Sequence, residues 1–491
     1  MNNHSIISKK IIDKYYSFPI QVRASFWFLI CSFLQRGISM ITTPIFTRLM
    51  TTSEYGQFSV FNSWFGIINI IVSLGLYQGV HAQGLIKFDN EPDLFTSSLE
   101  GLTTTLVCFW IVIYLLFQNY WNKLFALTTV QMLCMLVMIW TSAVYAFWAN
   151  KQRVTYSYRS LVVVTLAVSI AKPFLEIIIM NHSKDKVTAR ILGIFLVELI
   201  GFSWIFIAQM KRGKTFFSKR FWKYALAFNI PLVPHYLSQT VLNSSDRIMI
   251  QKIVGESEAG IYSLAYSLSL IMTLFNSALL QTISPWMYQK IKVKKNKEIA
   301  PIAYISLIII AGVNLILILL APEILIFFAP NSYYEAIWVI PPVAMSVYFM
   351  YAYDMFAKFA FYYEKTKFIM IASVLGAGLN IILNYFGIRA FGYIAAGYTT
   401  LICYIVYSIA HYLFMIRVCD KCCDSVYPYD SRKLFLITIS FILGGFVLLF
   451  TYKIPIVRYG IVILLLFFSI IKRDDLKLIV KKLLNLRKQN T

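Results

Sequence analysis

Residues 301–321 read PIAYISLIIIAGVNLILILLA and contain no charged side chain. About 20 apolar residues in an α-helix cross the hydrocarbon core of a bilayer, so this stretch predicts a membrane span. Lipid leaves backbone groups unsatisfied unless they bond within a helix or a closed barrel, and the ten-residue alternation of a membrane barrel is absent here. The sequence therefore predicts an all-α, polytopic membrane protein.

Thirteen other stretches share this length and character, which gives about fourteen predicted transmembrane helices. The candidates lie near residues 24–47, 58–80, 99–119, 125–149, 159–180, 189–210, 222–244, 260–286, 336–357, 368–387, 391–415, 434–452 and 455–471. The connections between them are short, so no soluble domain is expected.

The composition agrees with a membrane protein. Of the 491 residues, 59% are apolar and only 14% are charged, against about 25% charged residues in soluble domains. This argues against a soluble enzyme. The seven cysteines are too few and too scattered for a disulfide framework. A polar N-terminus followed by a long apolar run predicts an uncleaved span instead of a signal peptide.

The net charge of +23 would suggest nucleic acid in a soluble protein, but loop lysines and arginines explain it here. When loops are assigned alternately to two sides, most of the 45 Lys and Arg fall on the side of both termini, as in residues 211–223 and 290–297. By the positive-inside rule we predict cytoplasmic termini and no nucleic-acid partner. After the last span, a basic amphipathic helix is predicted on the membrane surface. Its apolar residues are Leu476, Ile479, Val480, Leu483 and Leu484.

An internal repeat is visible in the loop after the first span. Residues 53–63, SEYGQFSVFNS, match residues 257–267, SEAGIYSLAYS, at an offset of 204. Six predicted spans separate corresponding points, so the halves enter the membrane in the same direction. The sequence thus predicts two parallel six-helix bundles, residues 1–215 and 216–416, followed by residues 417–491 with two further spans and the basic tail.

Polar stripes provide a second test of this repeat. The first two spans each carry polar residues at helical spacing, and adding 204 gives mostly polar images in the seventh and eighth spans. The first stripe is Ser25, Ser32, Arg36, Ser39 and Thr43, with images Asn229, Tyr236, Thr240, Asn243 and Arg247. The second is Asn62, Gly66, Asn69, Ser73 and Tyr77, with images Tyr266, Leu270, Thr273, Ser277 and Gln281. Parallel repeats of this kind occur in transporters with a central site, so a shared polar cavity is predicted. Interhelical hydrogen bonding alone is the alternative.

Arg36 is the leading candidate for cargo binding. An arginine in mid-span costs about 2.5–3.5 kcal/mol to insert, and an anion in a wet cavity would offset this cost. The planar guanidinium suits phosphate oxygens. Pairing with Glu198 or Glu176 is the alternative. Arg247 lies nearer the outer end of its span, where Asp246 is expected to neutralise it.

Three charged residues are candidates for ion coupling. Lys172 and Glu176 are four residues apart around Pro173 and form either a self-contained pair or a functional one. Glu198 has no partner within a turn of its own helix and is the better candidate for proton or sodium coupling.

No resident cofactor or metal is expected. Cys419, Cys422 and Cys423 imitate a zinc knuckle, but no second pair is nearby and His411 lies in a span. A phosphate-binding loop and a nucleophile elbow are absent. The energy source, an H⁺ or Na⁺ gradient or none, stays open.

A series of short motifs runs in order along the chain. They are Arg36 through Pro44 and Arg48, Glu54-Tyr55-Gly56, Leu74-Gly75-Leu76, Asn229-Ile230-Pro231, Ser245-Asp246-Arg247, Ala259-Gly260-Ile261-Tyr262-Ser263 and Ser284-Pro285. In these motifs the sequence resembles the Wzx-type polysaccharide flippases of the MOP (multidrug/oligosaccharidyl-lipid/polysaccharide) exporter superfamily, which includes the MATE-like transporters.

The resemblance implies a flippase, not an enzyme, in the bacterial cytoplasmic (inner) membrane. Its cargo would be an undecaprenyl-diphosphate-linked oligosaccharide repeat unit for O-antigen, lipopolysaccharide, capsule or exopolysaccharide synthesis. Membrane lipids, a glycan polymerase and a chain-length regulator are the implied partners. A drug or cation antiporter of the same superfamily, a membrane glycan polymerase or ligase, and a passive scramblase are the alternatives.

Overall fold

A computed structural model of the chain describes residue 17, residues 19–474 and residue 477. Helices account for all the regular secondary structure in this part of the chain, and the predicted all-α class is confirmed. The apolar residues of the predicted amphipathic tail, from Leu476 to Leu484, lie outside the described residues.

The α-helices of the described chain follow one another with short connections. In order they are α1 (Ile20–Leu49), α2 (Thr52–Ser73), α3 (Gly79–Lys87), α4 (Pro92–Leu116), α5 (Gln118–Phe125), α6 (Thr129–Val154), α7 (Tyr158–Asn181), α8 (Lys186–Gly213), α9 (Lys219–Asn229), α10 (Val233–Ile253), α11 (Glu256–Leu270), α12 (Thr273–Lys292), α13 (Ile299–Leu319), α14 (Ala321–Phe328), α15 (Ile340–Tyr362), α16 (Thr366–Phe391), α17 (Ala395–Cys422), α18 (Ser431–Phe450) and α19 (Pro455–Ile471). Short 3-10 segments lie at Ile230–Leu232, Asn296–Glu298, Asn331–Trp338 and Thr451–Lys453.

The chain divides into two compact units. The first comprises the described residues up to Met50 together with Phe61–Leu237. The second comprises Thr51–Val60 together with the described residues from Ser238 onward. Two of the three boundaries fall inside helices, namely α2 and α10, and the third lies between α1 and α2. The predicted repeat boundaries at residues 215 and 416 stay predictions.

Ten helical stretches of the described chain are long and apolar enough to cross a bilayer, or eleven if the bent pair Asn331–Trp338 and Ile340–Tyr362 forms one span. The other three predicted spans coincide with α2, with the α9 and α10 region, and with α19. Polar stripes lower the mean hydropathy of α2 and α10, and α19 has only 17 residues. The protein is a multi-pass membrane protein.

Several helices begin where a side chain binds otherwise free backbone N–H groups. Thr128 and Gln131 form a reciprocal capping box at the start of α6. Asp185 accepts from the backbone N–H of Thr188 at 3.0 Å and caps α8. Asp430 caps α18 in the same way. These caps fix the points at which the chain re-enters a helix after a loop.

Two predicted spans are broken in the structure. The span predicted at 58–80 ends as a helix at Ser73, so the prediction of a continuous helix there was wrong. The span predicted at 222–244 is divided after Asn229, where Pro231 lies in a 3-10 segment between α9 and α10. Proline lacks the N–H that a continuous helix would use.

The core of the second unit is built around α15, which is buried along almost its whole length. It packs against α11, α12, α13, α17 and α18. Helix α18 is joined to it by a hydrogen bond between Tyr348 Oη and Thr438 Oγ1 of 3.0 Å. Helix α19 is held by Arg458, which forms an ion pair with Glu323 of α14. Apolar burial and these few polar contacts hold the last two helices in place.

Candidate substrate and ion sites

Helix α1 presents the first polar stripe on its exposed side. Ser32, Arg36 and Ser39 are all exposed. The adjacent Gln35 instead contacts α7, where its Nε2 donates to Ser169 Oγ at 3.3 Å. Arg36 therefore lies on the surface of the first unit, roughly halfway along α1.

The two acidic residues considered as partners of Arg36 bind other cations. Glu198 Oε1 accepts from Lys172 Nζ at 2.6 Å, across α7 and α8. Its other oxygen accepts from Thr141 Oγ1 of α6 at 2.9 Å. Of the two alternatives for Lys172 and Glu176, the structure does not favour a self-contained pair, because Lys172 reaches Glu198 on the neighbouring helix. The partners of Glu198 come from α6 and α7, not from its own helix α8.

Glu176 is paired with Arg190, a residue that the sequence analysis did not single out. Arg190 Nε donates to Glu176 Oε2 at 3.0 Å, and both side chains are nearly buried. The guanidinium also lies 3.7 Å from the centre of the Phe46 ring of α1, an arrangement in which a cation is attracted to the ring face. This pair joins α1, α7 and α8. An arginine at the start of the span predicted at residues 189–210 was the available sequence signal.

Asn69 and Ser73 of the second stripe are buried. Their side chains form hydrogen bonds at the point where helix α2 ends. Ser73 Oγ donates to the Asn69 carbonyl oxygen at 2.6 Å, and Asn69 Nδ2 donates to Tyr77 Oη at 2.9 Å. Leu74 has a positive φ of 52°, and its carbonyl oxygen accepts from Asn229 Nδ2. In this conformation these residues stabilise a turn, and their burial makes them inaccessible to a cargo.

The corresponding stripe on α10 is more open. Asn243 is exposed, while Tyr236, Thr240 and Arg247 are half-buried. Arg247 Nη1 donates to the Asn243 carbonyl oxygen at 2.7 Å, and its guanidinium lies 4.3 Å from the centre of the Tyr266 ring. The ring and the carbonyl hold the guanidinium in one orientation.

The remaining predicted cavity residues lie on α2 and α12. Asn62 and Ser277 are exposed, and Thr273 is half-buried. Ser277 Oγ donates to the Thr273 carbonyl oxygen at 2.9 Å, which leaves the hydroxyl oxygen able to accept. These side chains can offer hydrogen bonds to a sugar.

Besides the attraction of the neighbouring Arg247 that the sequence suggested, Asp246 accepts hydrogen bonds from uncharged groups of other helices. Its side chain is 0% exposed and points into the second unit. One carboxylate oxygen accepts from Tyr262 Oη at 2.6 Å and from Thr400 Oγ1 at 3.1 Å. The other accepts from Asn384 Nδ2 at 2.6 Å. Neighbouring residues on a helix point in different directions, which separates Asp246 from Arg247.

A second layer of amides surrounds this carboxylate. Asn380 Oδ1 accepts from Asn384 Nδ2 at 3.1 Å and from Ser245 Oγ at 3.1 Å. Thr399 Oγ1 donates to Asn384 Oδ1. The sequence analysis missed two signals of this cluster. They are two asparagines four residues apart in an apolar span and the adjacent Thr399 and Thr400. The result is an oxygen-rich buried cluster made by α10, α11, α16 and α17.

The repeat motif forms a contact with itself inside the second unit. Thr52 Oγ1 lies 2.7 Å from Ser257 Oγ, and Ser53 Oγ donates to Glu256 Oε2 at 2.9 Å. Adding 204 to the numbers of Thr52 and Ser53 gives Glu256 and Ser257, so each of these two pairs is the repeat equivalent of the other. A Cβ on Gly56 would overlap the Glu256 carbonyl oxygen, and one on the equivalent Gly260 would overlap the Thr52 carbonyl oxygen. The first turns of α2 and α11 therefore cross through two matched glycines.

An apolar groove of about 350 Å³ lies within the second unit. Helices α13, α15, α17 and α18 form its walls. Its lining includes Leu307, Phe349, Ile405, Ile409, Phe435 and Ile439. A groove with such walls suits an alkyl or isoprenoid chain.

Comparison with known families accounts for this architecture. The family described as polysaccharide biosynthesis protein matches residues 22–291, more than half of the chain. The chain belongs to this family. A second family, MatE, matches residues 231–386 of this polysaccharide biosynthesis protein, which include Asp246 and its amide neighbours.

Relatives and solved structures agree with the assignment. The Lsg locus putative protein 1 of Haemophilus influenzae is 23% identical over 376 residues, which cover 71% of this chain and 86% of the relative. The solved structure of the lipid II flippase MurJ, in an inward closed conformation, has a TM-score of 0.70 at 16% identity and covers 91% of this chain and 99% of its own.

A multidrug resistance MATE family transporter of the MOP superfamily, in an inward-facing conformation, has a TM-score of 0.59 at 13% identity. The match covers 79% of this chain and 95% of that transporter. The chain thus has the fold of these two transporters, which is the fold of the MOP superfamily.

Proposed function

We propose that the protein translocates an undecaprenyl-diphosphate-linked oligosaccharide repeat unit across the cytoplasmic membrane, by alternating access of a central polar cavity. The observation that carries this proposal is the pair of matched polar stripes on α1 and α10. Each stripe bears an arginine, Arg36 or Arg247, on a helix of an otherwise apolar protein. Family membership supports the same assignment.

The arginines supply what a diphosphate needs inside a membrane. The cargo's negative charge loses hydration when it leaves water, and Coulomb attraction to a guanidinium grows as the local dielectric falls. Arg36 is exposed at mid-helix, where such an anion would cross. Guanidinium binds phosphate oxygens through parallel N–H donors, which adds orientation to the attraction.

The exposed polar side chains provide partners for the sugar. Ser32, Ser39, Asn62, Asn243 and Ser277 combine hydroxyl and amide groups, which can donate and accept. Asn69 and Ser73, which were predicted to bind cargo, are buried in this conformation. We propose that they bind cargo only in a second conformation, in which the turn after α2 opens and exposes their side chains.

The apolar groove of the second unit is a suitable place for the polyprenyl tail. Its lining is almost wholly hydrocarbon and aromatic, so an isoprenoid chain can leave the lipid and pack there by van der Waals contact without burying a polar group. The three chemical parts of the cargo thus each have a matching site: the arginines for the diphosphate, the polar stripes for the sugar and the apolar groove for the tail.

Ion coupling is assigned to buried charges and not to Arg36. The sequence candidates Lys172, Glu176 and Glu198 lie in two ion pairs of the first unit. Asp246 of the second unit is the strongest addition, because its carboxylate lies among oxygen and amide ligands that could also surround a cation or a proton. We propose an H⁺ or Na⁺ gradient as the energy source.

The proposed setting is the bacterial inner membrane, with both termini in the cytoplasm. The glycan belongs to the O-antigen, capsule or exopolysaccharide class. A polymerase and a chain-length regulator would take over the cargo once it reaches the outer leaflet.

A deletion strain tests the proposed function. We expect lipid-linked repeat units to accumulate on the cytoplasmic face when the protein is missing, and expression of the wild-type chain to remove them. Delivery of single, unpolymerised units to the cell surface would instead identify a polymerase and contradict the proposal.

A MATE-like cation or drug antiporter is the second candidate, because the MatE family matches residues 231–386. It would use Asp246 to bind its coupling ion. Drug resistance that depends on Asp246, without accumulation of lipid-linked sugar in the deletion strain, would favour this function.

A further inference from the structure

Glu100 is a buried acid that none of the assignments above uses. It lies on α4, and its side chain is 0% exposed. Neither of its carboxyl oxygens has a hydrogen-bond partner among the described residues. Burying an ionised carboxylate without donors is very costly, so the neutral, protonated acid is the stable form in this place.

The packing around Glu100 is close. Helix α4 contacts α3, α6, α8 and α9. A Cβ on the adjacent Gly101 would overlap the carbonyl oxygen of Phe216, in the loop between α8 and α9. Trp222 of α9 donates from Nε1 to the Ser98 carbonyl oxygen at 2.8 Å. This loop and α9 cover the end of α4 that holds Glu100.

A second buried polar group lies at the same level. Gln209 of α8 is buried, and its amide nitrogen and oxygen also have no partner within the described part of the chain. Gly213 packs against Ser97, and Trp140 contacts both Thr104 and Phe206. These two contacts fix an antiparallel register of α4 and α8 that brings Gln209 level with Glu100 and Gly101.

The charged groups near Glu100 are already satisfied or neutral. Lys151 of α6 is the cation that faces it, and Lys151 forms an ion pair with Asp93. On α3, His81 Nε2 lies 3.1 Å from Thr96 Oγ1, and burial lowers the pKa of His81 to about 3. The ends of α8 and α9 carry Lys211, Arg212 and Lys223 as exposed cations.

We propose that Glu100 is a proton-binding site of the first unit. The acid is protonated while the loop and α9 cover it, and it loses its proton when this end of α4 is wetted, where Lys151 stabilises the carboxylate. The site holds one proton and requires no particular cargo, so it does not depend on the proposed glycan substrate.

Labelling with dicyclohexylcarbodiimide tests the site on the purified, full-length protein. The reagent enters apolar regions and reacts with protonated carboxyls. The carboxyl O–H adds across one C=N bond, and the adduct rearranges to an N-acylurea without loss of atoms. A glutamic acid of ordinary pKa is about a thousandth protonated at pH 7.5. We therefore expect Glu100 to be labelled at least about tenfold more than the water-exposed glutamates of the chain.

Two controls make the result decisive. E100Q, which has the shape of the neutral acid, should fold as well as the wild type and lose this label. Labelling of Glu100 should fall as the pH rises and should not respond to Na⁺. Absence of label at Glu100 at pH 7.5, labelling that does not fall as the pH rises, or protection by Na⁺ would each overturn the proposal.

Discussion

Arg36 is the single residue on which the proposed recognition of a diphosphate depends most. Charge-assisted hydrogen bonds to a charged group contribute about 1.5–3 kcal/mol. Arg36→Ala should therefore reduce surface glycan export by about tenfold or more. Arg36→Lys should retain part of it, because the charge stays while the planar fork is lost. Export is measured as surface glycan at matched protein levels.

Lys123→Ala is the matched control for Arg36, since Lys123 is an exposed cation on the short helix α5. Its removal should leave export unchanged. Normal export by Arg36→Ala would contradict the phosphate site.

The ion pair between Lys172 and Glu198 makes a different kind of prediction. Glu198→Gln leaves the Lys172 ammonium against a neutral partner in a nearly buried site, and loss of one partner of a buried pair costs about 3 kcal/mol. We expect lower thermal stability in detergent and slower gradient-driven transport.

The double variant Lys172→Met with Glu198→Gln separates stability from coupling. It should recover much of the stability, because no unpaired charge remains, but not the gradient-driven transport. Recovery of both would assign the pair to structure alone.

At this scale the sequence indicated Arg36 as a candidate, a role that stays a prediction, and it did not reveal the partners of other charged residues. Arg36 stood out because an arginine in mid-span needs an explanation. The partners of Glu176 and Glu198 could not be predicted, because both come from other helices, and the separation of Lys172 from Glu198 along the chain carries no information on contact. Asp246 was paired with its neighbour Arg247, while its hydrogen-bond partners come from other helices and were not predicted.

The crossing of α2 and α11 depends on two glycines at repeat-equivalent positions. Gly56→Ala and Gly260→Ala should each lower stability by about 1–3 kcal/mol or more, since the new methyl group meets backbone that cannot move aside as a side chain does. Thermal unfolding in detergent measures the loss.

Gly312 of α13 provides the control, because nothing lies within 4 Å of a Cβ added there. Gly312→Ala should be neutral or slightly stabilising. If all three variants were equally stable, close contact of the repeat motifs would not be required for folding.

The groove beside α18 gives a prediction about the lipid tail. Ile439 lines the groove, and Ile439→Trp should narrow it and reduce crosslinking of a photoreactive polyprenyl diphosphate. Leu436→Trp lies on the same helix at an exposed position outside the lining and should not. Equal crosslinking in both variants would place the tail elsewhere.

The positions of the helices were largely predictable, and their breaks were not. Long apolar runs such as residues 301–321 specify a span by composition alone. The break after Ser73 depends on the positive φ of Leu74 and on Asn229, which binds its carbonyl oxygen from a distant part of the chain. Such a partner is invisible to a local hydropathy pattern.

For the molecule as a whole, composition and the length of the apolar runs predicted the class, but the contact of the repeat motif with its own image was not predicted. Thr52 with Ser257 and Ser53 with Glu256 are the two repeat-equivalent pairs of this contact. The Asp246 cluster and Glu100 were not predicted, since each is defined by burial among several helices and not by its neighbours in sequence.

Reconstitution tests the central claim, that the protein moves a lipid-linked oligosaccharide between leaflets. Liposomes carry the lipid-linked sugar in both leaflets, and a membrane-impermeant glycosidase digests only what faces outward. With the wild-type protein and an imposed ion gradient, nearly all of the sugar should become digestible, whereas protein-free and Arg36→Ala liposomes should protect the inner half. Protection of that half in the presence of active, folded wild-type protein would contradict the account.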